Sequence, residues 1–144
     1  RAGQTGESVS LSPLYLLDTN ICIYLMKHQP PQVADRFAAC RVGEVVISAI
    51  TAAELEFGVI ASGAEAERNR EALDQFLLEI PVAPFDGQAA AAYGPVRWAT
   101  RLRRRDALDK LIAAHALALG VALVTNNPVD FQAYAELRIE NWVD

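Results

Sequence analysis

Three acids and an amide lie beside short apolar runs of this sequence, where they could act together. Asp18 directly follows the first run, and Glu54 lies in the first turns of the helix predicted after the second. Asp109 opens the helix predicted before a later run, and Asn127 follows that run. In open α/β sheets the carboxyl ends of parallel strands meet at one edge, where ligands bind. We therefore expect Asp18, Glu54 and Asp109 to converge on one polar hollow, with Asn127 beside them.

The residue types in this hollow favour a metal-assisted reaction. Clustered carboxylates repel one another unless a cation lies between them. Oxygen ligands suit hard ions, so Mg²⁺ or Mn²⁺ is expected. Such ions position phosphate oxygens, lower the pKa of a bound water and stabilise the charge on a leaving oxygen. The pattern indicates hydrolysis of a phosphodiester.

Each acid also has a purely structural interpretation. Asp18 could cap the helix predicted at 19–26. Thr51-Ala52-Ala53-Glu54 fits a capping box, in which Glu54 only reaches back to a backbone N–H. Asp106 or Asp109 could cap the helix that follows.

Apolar runs alternate with helical periodicity, which predicts an α/β fold whose mostly parallel sheet is covered on both faces. The predicted strands are 14–17, 45–47, 80–85, 121–124 and 137–140. The predicted helices are 19–26, a segment that begins at Pro30-Pro31, 51–60, 64–79, 87–102 and 109–119. Pro81 and Pro84 place the third strand at a sheet edge, and Gly120 is expected to cap the last helix.

Composition narrows the class of protein. The 144 residues suffice for one domain, and 52% apolar against 22% charged residues indicates a globular chain. The net charge of −5 disfavours a passive polyanion-binding module but not a nuclease that works through metal ions. Six of the thirteen Lys and Arg lie between Arg97 and Lys110, so the positive charge is concentrated there.

Several features define the domain and its location. Residues 1–13 lack periodicity, an initiator Met and a signal-peptide core, so we expect a flexible tail or a cloning remnant before one domain at 14–144. The apolar stretches are too short or too interrupted to span a bilayer. Cys22 and Cys40 form neither a disulfide framework nor a metal-ligand spacing. We expect two reduced core thiols and a cytoplasmic protein.

Five segments, in order and with family-like spacing over residues 14–143, together resemble a PIN-domain ribonuclease of the VapC toxin type. They are Leu17-Asp18-Thr19-Asn20, Ile47-Ser48-Ala49-Ile50-Thr51-Ala52-Ala53-Glu54-Leu55 with Gly58, Asp109-Lys110-Leu111-Ile112-Ala113-Ala114-His115-Ala116, Val124-Thr125-Asn126-Asn127 with Asp130-Phe131, and Glu140-Asn141-Trp142. The resemblance implies a three-layer α/β/α sandwich and a Mg²⁺- or Mn²⁺-dependent endoribonuclease. It also implies a homodimer, a higher assembly with a cognate VapB antitoxin, and inhibition by that antitoxin. The Thr-Asn-Asn variant resembles members that cut initiator tRNA in its anticodon stem-loop.

The resemblance also assigns roles to residues. Asp18, Glu54 and Asp109 match the three central metal-binding acids of the family. Asn127 stands where many relatives have a fourth acid, and its amide oxygen can ligate a metal without adding charge. The other candidates are Thr19, Asn20 and Thr125 as supporting hydrogen-bond partners, Asp130 as a substitute fourth ligand or a loop residue, and His115 as a buried structural residue.

The segment before Asp109 departs from the family pattern. Relatives often carry Gly and Pro here, but this chain has an arginine-rich run that is about two residues shorter. The run contributes four candidates for RNA-phosphate contacts: Arg101, Arg103, Arg104 and Arg105. Three alternatives stay open: a solvated helix end, a positive charge that neutralises the acids, or a site for an acidic antitoxin tail.

Two rival functions compete with the ribonuclease. A catalytically quiet PIN scaffold could serve as the antitoxin-binding subunit of an operator-binding complex. Net acidity and Asn127 favour this rival, whereas the three acids disfavour it. A phosphate-transfer domain with Asp18 as its nucleophile would carry a second acid two residues later, where Asn20 stands.

Overall fold

The computed structural model of the protein describes residues 12–103 and 105–144, so residues 1–11 of the predicted tail and Arg104 lie outside the described residues. The strands are β1 (Tyr15–Leu17), β2 (Val45–Ser48), β3 (Val82–Ala83), β4 (Ala122–Val124) and β5 (Ile139–Glu140). The helices are α1 (Thr19–Lys27), α2 (Pro31–Ala38), α3 (Ala49–Ala61), α4 (Ala66–Glu79), α5 (Gly87–Ala99) and α6 (Ala107–Leu119). Short 3₁₀ turns occupy Gly63–Glu65 and Pro128–Phe131.

The strands form one sheet in the order β3-β2-β1-β4-β5, and every pairing is parallel. The chain runs outward from β1 to β3 and then crosses to the other side of β1 to form β4. The strand order therefore reverses at β1, which makes its carboxyl end the topological switch point where ligands bind in such sheets. The parallel sheet and the edge position of the third strand are confirmed.

Successive side chains of the short central strands enter separate cores on opposite faces of the sheet. Leu17 and Ile47 enter the core covered by α1 to α4. Leu16, Val46 and Leu123 enter the core under α5 and α6. This arrangement confirms the three-layer α/β/α sandwich.

Some elements are shorter than predicted, and one of the two cysteines is less buried than predicted. Strand β3 is confined to the two residues between Pro81 and Pro84, because proline cannot donate a backbone hydrogen bond. Helix α5 ends at Ala99 and not near 102, because Thr100 leaves the helical conformation. Cys22 is buried as predicted, but Cys40 lies beyond α2 and is only half-buried.

The α-helices of the described residues are between 8 and 14 residues long. None of them is long and apolar enough to cross a membrane.

Candidate active site

Asp18 is the N-cap of α1 at the switch point and also lies among the acids. Its Oδ1 accepts a hydrogen bond from the backbone N–H of Ile21 at 3.0 Å, so the predicted helix cap is present. The residue is 8% exposed, and burial raises the pKa of its carboxyl. Hydrogen bonds from Thr125 and from the backbone of Ile21 and Asn20 oppose that rise, while nearby Glu54 adds to it. Capping therefore occupies one oxygen of Asp18 and coexists with its place among the acids.

Glu54 is not part of a capping box, and that alternative is wrong. Helix α3 begins at Ala49, where the Ser48 hydroxyl caps it by accepting from the N–H of Ile50 at 3.0 Å. Thr51 is therefore inside the helix and fully buried, and its hydroxyl has no hydrogen-bond partner among the described residues. Glu54 instead accepts a 2.8 Å hydrogen bond from the Thr19 hydroxyl, which ties it to the start of α1.

Asp109 lies in the first turn of α6 and is the most strongly perturbed of the three acids. Burial raises its pKa to about 6, and Asp106, Asp130, Asp18 and Glu54 each contribute to the rise. Carboxylates raise one another's pKa only when they are close together. Asp18, Glu54 and Asp109 therefore lie close enough for their charges to interact. Asp18 is buried, and Glu54 and Asp109 are half-buried.

The Thr125 hydroxyl and the Asn127 amide, both after β4, also make hydrogen bonds within their own loop. Thr125 is fully buried, and its Oγ1 accepts from the backbone N–H of Asn127 at 3.0 Å. The Asn127 side chain is exposed, and its Nδ2 donates to Asp130 Oδ2. Asn127 and Asp130 thus form a pair beside Asp109. Asn20 lends Asp18 a backbone hydrogen bond, while its own side chain is exposed.

The described arginines before α6 make different contacts. Arg103 donates to Asp106 Oδ2 at 2.7 Å and to the backbone O of Asp130 at 3.2 Å. It therefore supplies positive charge to the acidic edge, one of the alternatives left open above. Arg105 is exposed, and Arg101 stacks on Trp98.

Lys110 is a site-supporting residue that the sequence predictions missed. It is 7% exposed, and its ammonium donates to the backbone O of Thr100 at 3.1 Å and to that of Arg103. These bonds hold the segment between α5 and α6 against the residue next to Asp109. The available signal was a lysine directly before the apolar run that opens with Leu111, which is unusual for a buried helix face.

The turn into α6 corrects another prediction. Asp106 occupies the cap position in the left-handed conformation, with φ 68°, but makes no side-chain cap bond. Asp109, inside the helix, does not cap it either. Asp tolerates this conformation better than most residues, which explains how the turn forms without a glycine.

His115 is buried in α6 as predicted for a structural residue. Its Nδ1 lies 2.8 Å from Ser48 Oγ, and its ring meets the edge of Phe85. Burial lowers the pKa of His115, so the imidazole is neutral near pH 7. The contact between His115 and Ser48 joins α6 to the last residue of β2.

Comparison with known proteins identifies the family. The PIN domain profile matches residues 15–137. The chain is 37% identical to the tRNA(fMet)-specific endonuclease VapC of Shigella flexneri over 130 residues, 89% of this chain and 97% of that protein. It belongs to the VapC family of PIN-domain ribonuclease toxins.

Solved VapC complexes have the same fold as this chain. DNA-bound VapBC from Salmonella typhimurium superposes with a TM-score of 0.83 at 34% identity, covering 91% of this chain and 99% of that chain. VapBC2 from Rickettsia felis, bound to a promoter DNA fragment, gives a TM-score of 0.78 at 33% identity, covering 90% and 98%.

The donor set of this VapC-family chain fits a hard divalent cation, although the described residues do not form a closed metal cage. No three acid, histidine or cysteine side chains of that part of the chain lie close enough to hold an ion together. The observation that supports a cation is electrostatic: besides burial, Glu54 contributes to the raised pKa of Asp18, and Asp18 and Glu54 contribute to the raised pKa of Asp109. A cation between them would remove that repulsion, and their oxygens suit Mg²⁺ or Mn²⁺.

An apolar groove of about 470 Å³ borders the same edge of this VapC-family fold. The groove lies between α1, α3 and α4, and its lining includes the polar Thr19 and Glu54 and the apolar Ile23, Leu55 and Val59. The groove lies next to the acids and was not predicted, because its shape depends on how three helices pack.

Proposed function

We propose that this chain is a divalent-metal-dependent endoribonuclease in which Asp18, Glu54 and Asp109 hold Mg²⁺ or Mn²⁺. The observation that carries the proposal is the raised pKa of Asp109 at the switch point of the sheet, to which burial, Asp18 and Glu54 all contribute. When bound, the ion supplies charge neutralisation for the scissile phosphate and for the leaving oxygen. Three acids suffice for one ion, and Asn127 is an uncharged candidate for a further ligand.

The protein's own groups then organise hydrolysis. Thr19 fixes one oxygen of Glu54, so this carboxylate is positioned to orient a water and accept its proton. Attack of that water forms a bond to phosphorus while the bond to the leaving oxygen breaks. Arg103 and Arg105 border the acids and are candidates for contacts to flanking phosphates.

The proposed substrate is RNA, and more narrowly transfer RNA. The Shigella flexneri relative is a tRNA(fMet)-specific endonuclease, and the Thr125-Asn126-Asn127 segment resembles members with that specificity. Cleavage of initiator tRNA in its anticodon stem-loop is the finer proposal, and it depends on the coarser one.

Purified protein tests the enzyme directly. Wild-type protein should cleave bulk tRNA in Mg²⁺ or Mn²⁺ and not in EDTA. Asp109→Asn should lose about 100-fold or more of the rate, because it removes charge from the acid cluster. Asp35→Asn changes an exposed acid on α2 and should cleave at the wild-type rate. Cleavage in EDTA, or by Asp109→Asn at the wild-type rate, would reject the site.

We also propose a homodimer that binds a VapB-type antitoxin. Solved relatives are VapBC complexes, two of them on DNA. The apolar groove beside Glu54 suits an amphipathic antitoxin segment, which would cover the route to the acids. The test is to co-express a VapB-type antitoxin with this chain and to measure whether the antitoxin abolishes RNA cleavage.

A quiet scaffold is the second candidate, favoured by the net charge of −5 and by Asn127, which brings no charge to a metal. In that case the chain would only pair with its antitoxin on DNA. Growth arrest on expression that Asp18→Ala reverses would reject the scaffold, and its absence would favour it.

A further inference from the structure

Two aromatic rings of α5, the exposed Trp98 and the half-buried Tyr93, each lie beside an arginine. The Arg101 guanidinium lies 4.0 Å from the Trp98 ring centroid, and its Nη1 donates to the Trp98 carbonyl at 2.9 Å. One turn earlier, Arg97 lies 6.0 Å from the Tyr93 ring centroid. Together with Leu102, we call these side chains the α5 surface.

The α5 surface is unusually exposed for its composition. Trp98 is 67% exposed and Leu102 is 91% exposed, although both are large apolar residues. Aromatic side chains beside positive charge are the combination found in sites for single-stranded nucleic acid. Arg101 covers one face of the indole, and a ring has a second face.

We propose that the α5 surface binds unpaired nucleobases of single-stranded RNA by stacking, a proposal that rests on the ribonuclease function proposed above. Aromatic rings stack on bases of any sequence, and neighbouring arginines contact the phosphates and the bases. Trp98 is the principal platform, and Arg97 and Arg101 supply the charge. The predicted ligand is thus a loop or a single strand and not a continuous duplex.

The α5 surface is continuous with the acidic edge. Leu102 also lines a polar pocket of about 480 Å³ that is completed by Arg103, Arg105, Asp106 and Asp130. Lys110 ties the intervening backbone at Thr100 and Arg103 to α6, one residue from Asp109. A strand that stacks on Trp98 can therefore pass along this pocket toward the acids.

Charge favours RNA over a second copy of the chain on this surface. A symmetric contact would bring Arg97 and Arg101 of two copies together, and like charges at an interface oppose association. The phosphates of RNA complement the same arginines.

Tryptophan fluorescence can isolate binding at this surface. The chain has two tryptophans, and Trp142 is only 1% exposed, so quenching by RNA should report Trp98. The probe is a uridine oligonucleotide with 2′-O-methyl groups, which block cleavage, measured in EDTA. A matched abasic oligonucleotide keeps the phosphates and removes the stacking bases.

The expected result is a base-dependent loss of affinity. The abasic probe should bind wild-type protein about tenfold more weakly than the uridine probe. Trp98→Ala, followed by fluorescence anisotropy of a labelled probe, should lose the same factor for the uridine probe and nothing for the abasic one. Trp98→Phe should retain most of the preference, and Phe57→Ala, at an exposed aromatic on α3, should retain all of it.

Other results would overturn the proposal. Trp98→Ala with wild-type affinity for the uridine probe would do so, as would an equal loss for both probes. If Trp98→Ala changed the protein from dimer to monomer in sedimentation and left RNA binding unchanged, this surface would be a self-association interface instead. The ribonuclease proposal is tested separately by cleavage of bulk tRNA in Mn²⁺. A protein that binds RNA in a base-dependent way but does not cleave tRNA would reject the ribonuclease proposal and keep the binding proposal.

Discussion

At the scale of single residues, a structural role and a chemical role coexist on one side chain. Asp18 caps α1 with Oδ1 and also lies within the field of Glu54 and Asp109. The sequence presented capping and ligation as alternatives, because each follows from the same residue type at the end of a strand. Only the geometry of the cap and the coupling of the acids show that both fit. Asparagine is as good a helix cap as aspartate, so Asp18→Asn separates the two roles.

Asp109 should destabilise the metal-free fold at neutral pH. Its pKa rises from 3.8 to about 6. A carboxyl with a raised folded-state pKa contributes stability that is full below about pH 4 and lost as the pH rises through about 6. In EDTA at about pH 7.5, Asp109→Asn should be more stable than wild type by about 1 kcal/mol, since solvent screens this half-exposed group.

Urea denaturation of both proteins measures this difference, which should shrink toward about pH 4. Asp35→Asn serves as the control, because Asp35 lies exposed on α2 and should show no comparable gain. A wild-type protein at least as stable as Asp109→Asn in EDTA at neutral pH would contradict the electrostatic strain assigned to Asp109.

At the scale of elements, the segment between α5 and α6 depends on contacts that sequence patterns do not encode. Lys110 binds two of its carbonyls, Arg103 pairs with Asp106, and Asp106 adopts a left-handed conformation. The strands and helices themselves were predictable, since apolar periodicity and caps such as Gly120 are local signals. The conformation of this segment was not predictable, because it depends on the buried ammonium of Lys110, which belongs to the next helix.

Lys110→Met should loosen this segment. The substitution keeps the aliphatic bulk but leaves the carbonyls of Thr100 and Arg103 without their charged donor. The free energy of unfolding should fall by about 2 kcal/mol, a typical value for hydrogen bonds to a charged group. Urea denaturation gives the value, and Lys27→Met, on the exposed end of α1, should stay within about 0.5 kcal/mol of wild type. Equal stability of Lys110→Met and wild type would show that the buried ammonium does not hold the segment.

At the scale of the whole molecule, the reversal of strand order places the acids and the groove together. Residues 14–144 were expected to be one domain, and the two cores of the described chain lie on either side of one sheet. The acidic edge was predictable, because the alternation of strands and helices predicts a parallel sheet whose strands end at one edge. The groove was not, because it is a gap between the packed α1, α3 and α4 and no single residue type marks it.

Filling the groove should separate cleavage from neutralisation. Gly58 lines the groove, and a Cβ added there meets no atom within 4 Å. Gly58→Leu should therefore fold, cleave RNA at close to the wild-type rate, and resist the antitoxin, with affinity reduced about tenfold. Gly94→Leu is the matched control, because Gly94 lies in a helix with the same free space on α5. Equal antitoxin affinity of both variants would place the antitoxin elsewhere.

The central claim is that the acids at the switch point make this chain a ribonuclease, and mapping RNA ends in cells tests it most directly. Total RNA would be sequenced after brief expression of the wild-type chain and of Asp18→Asn, which preserves the helix cap. Wild-type protein should produce a few defined new ends, with initiator tRNA cut in its anticodon stem-loop, and Asp18→Asn should produce none. The same new ends from both proteins, at equal protein levels, would contradict the claim.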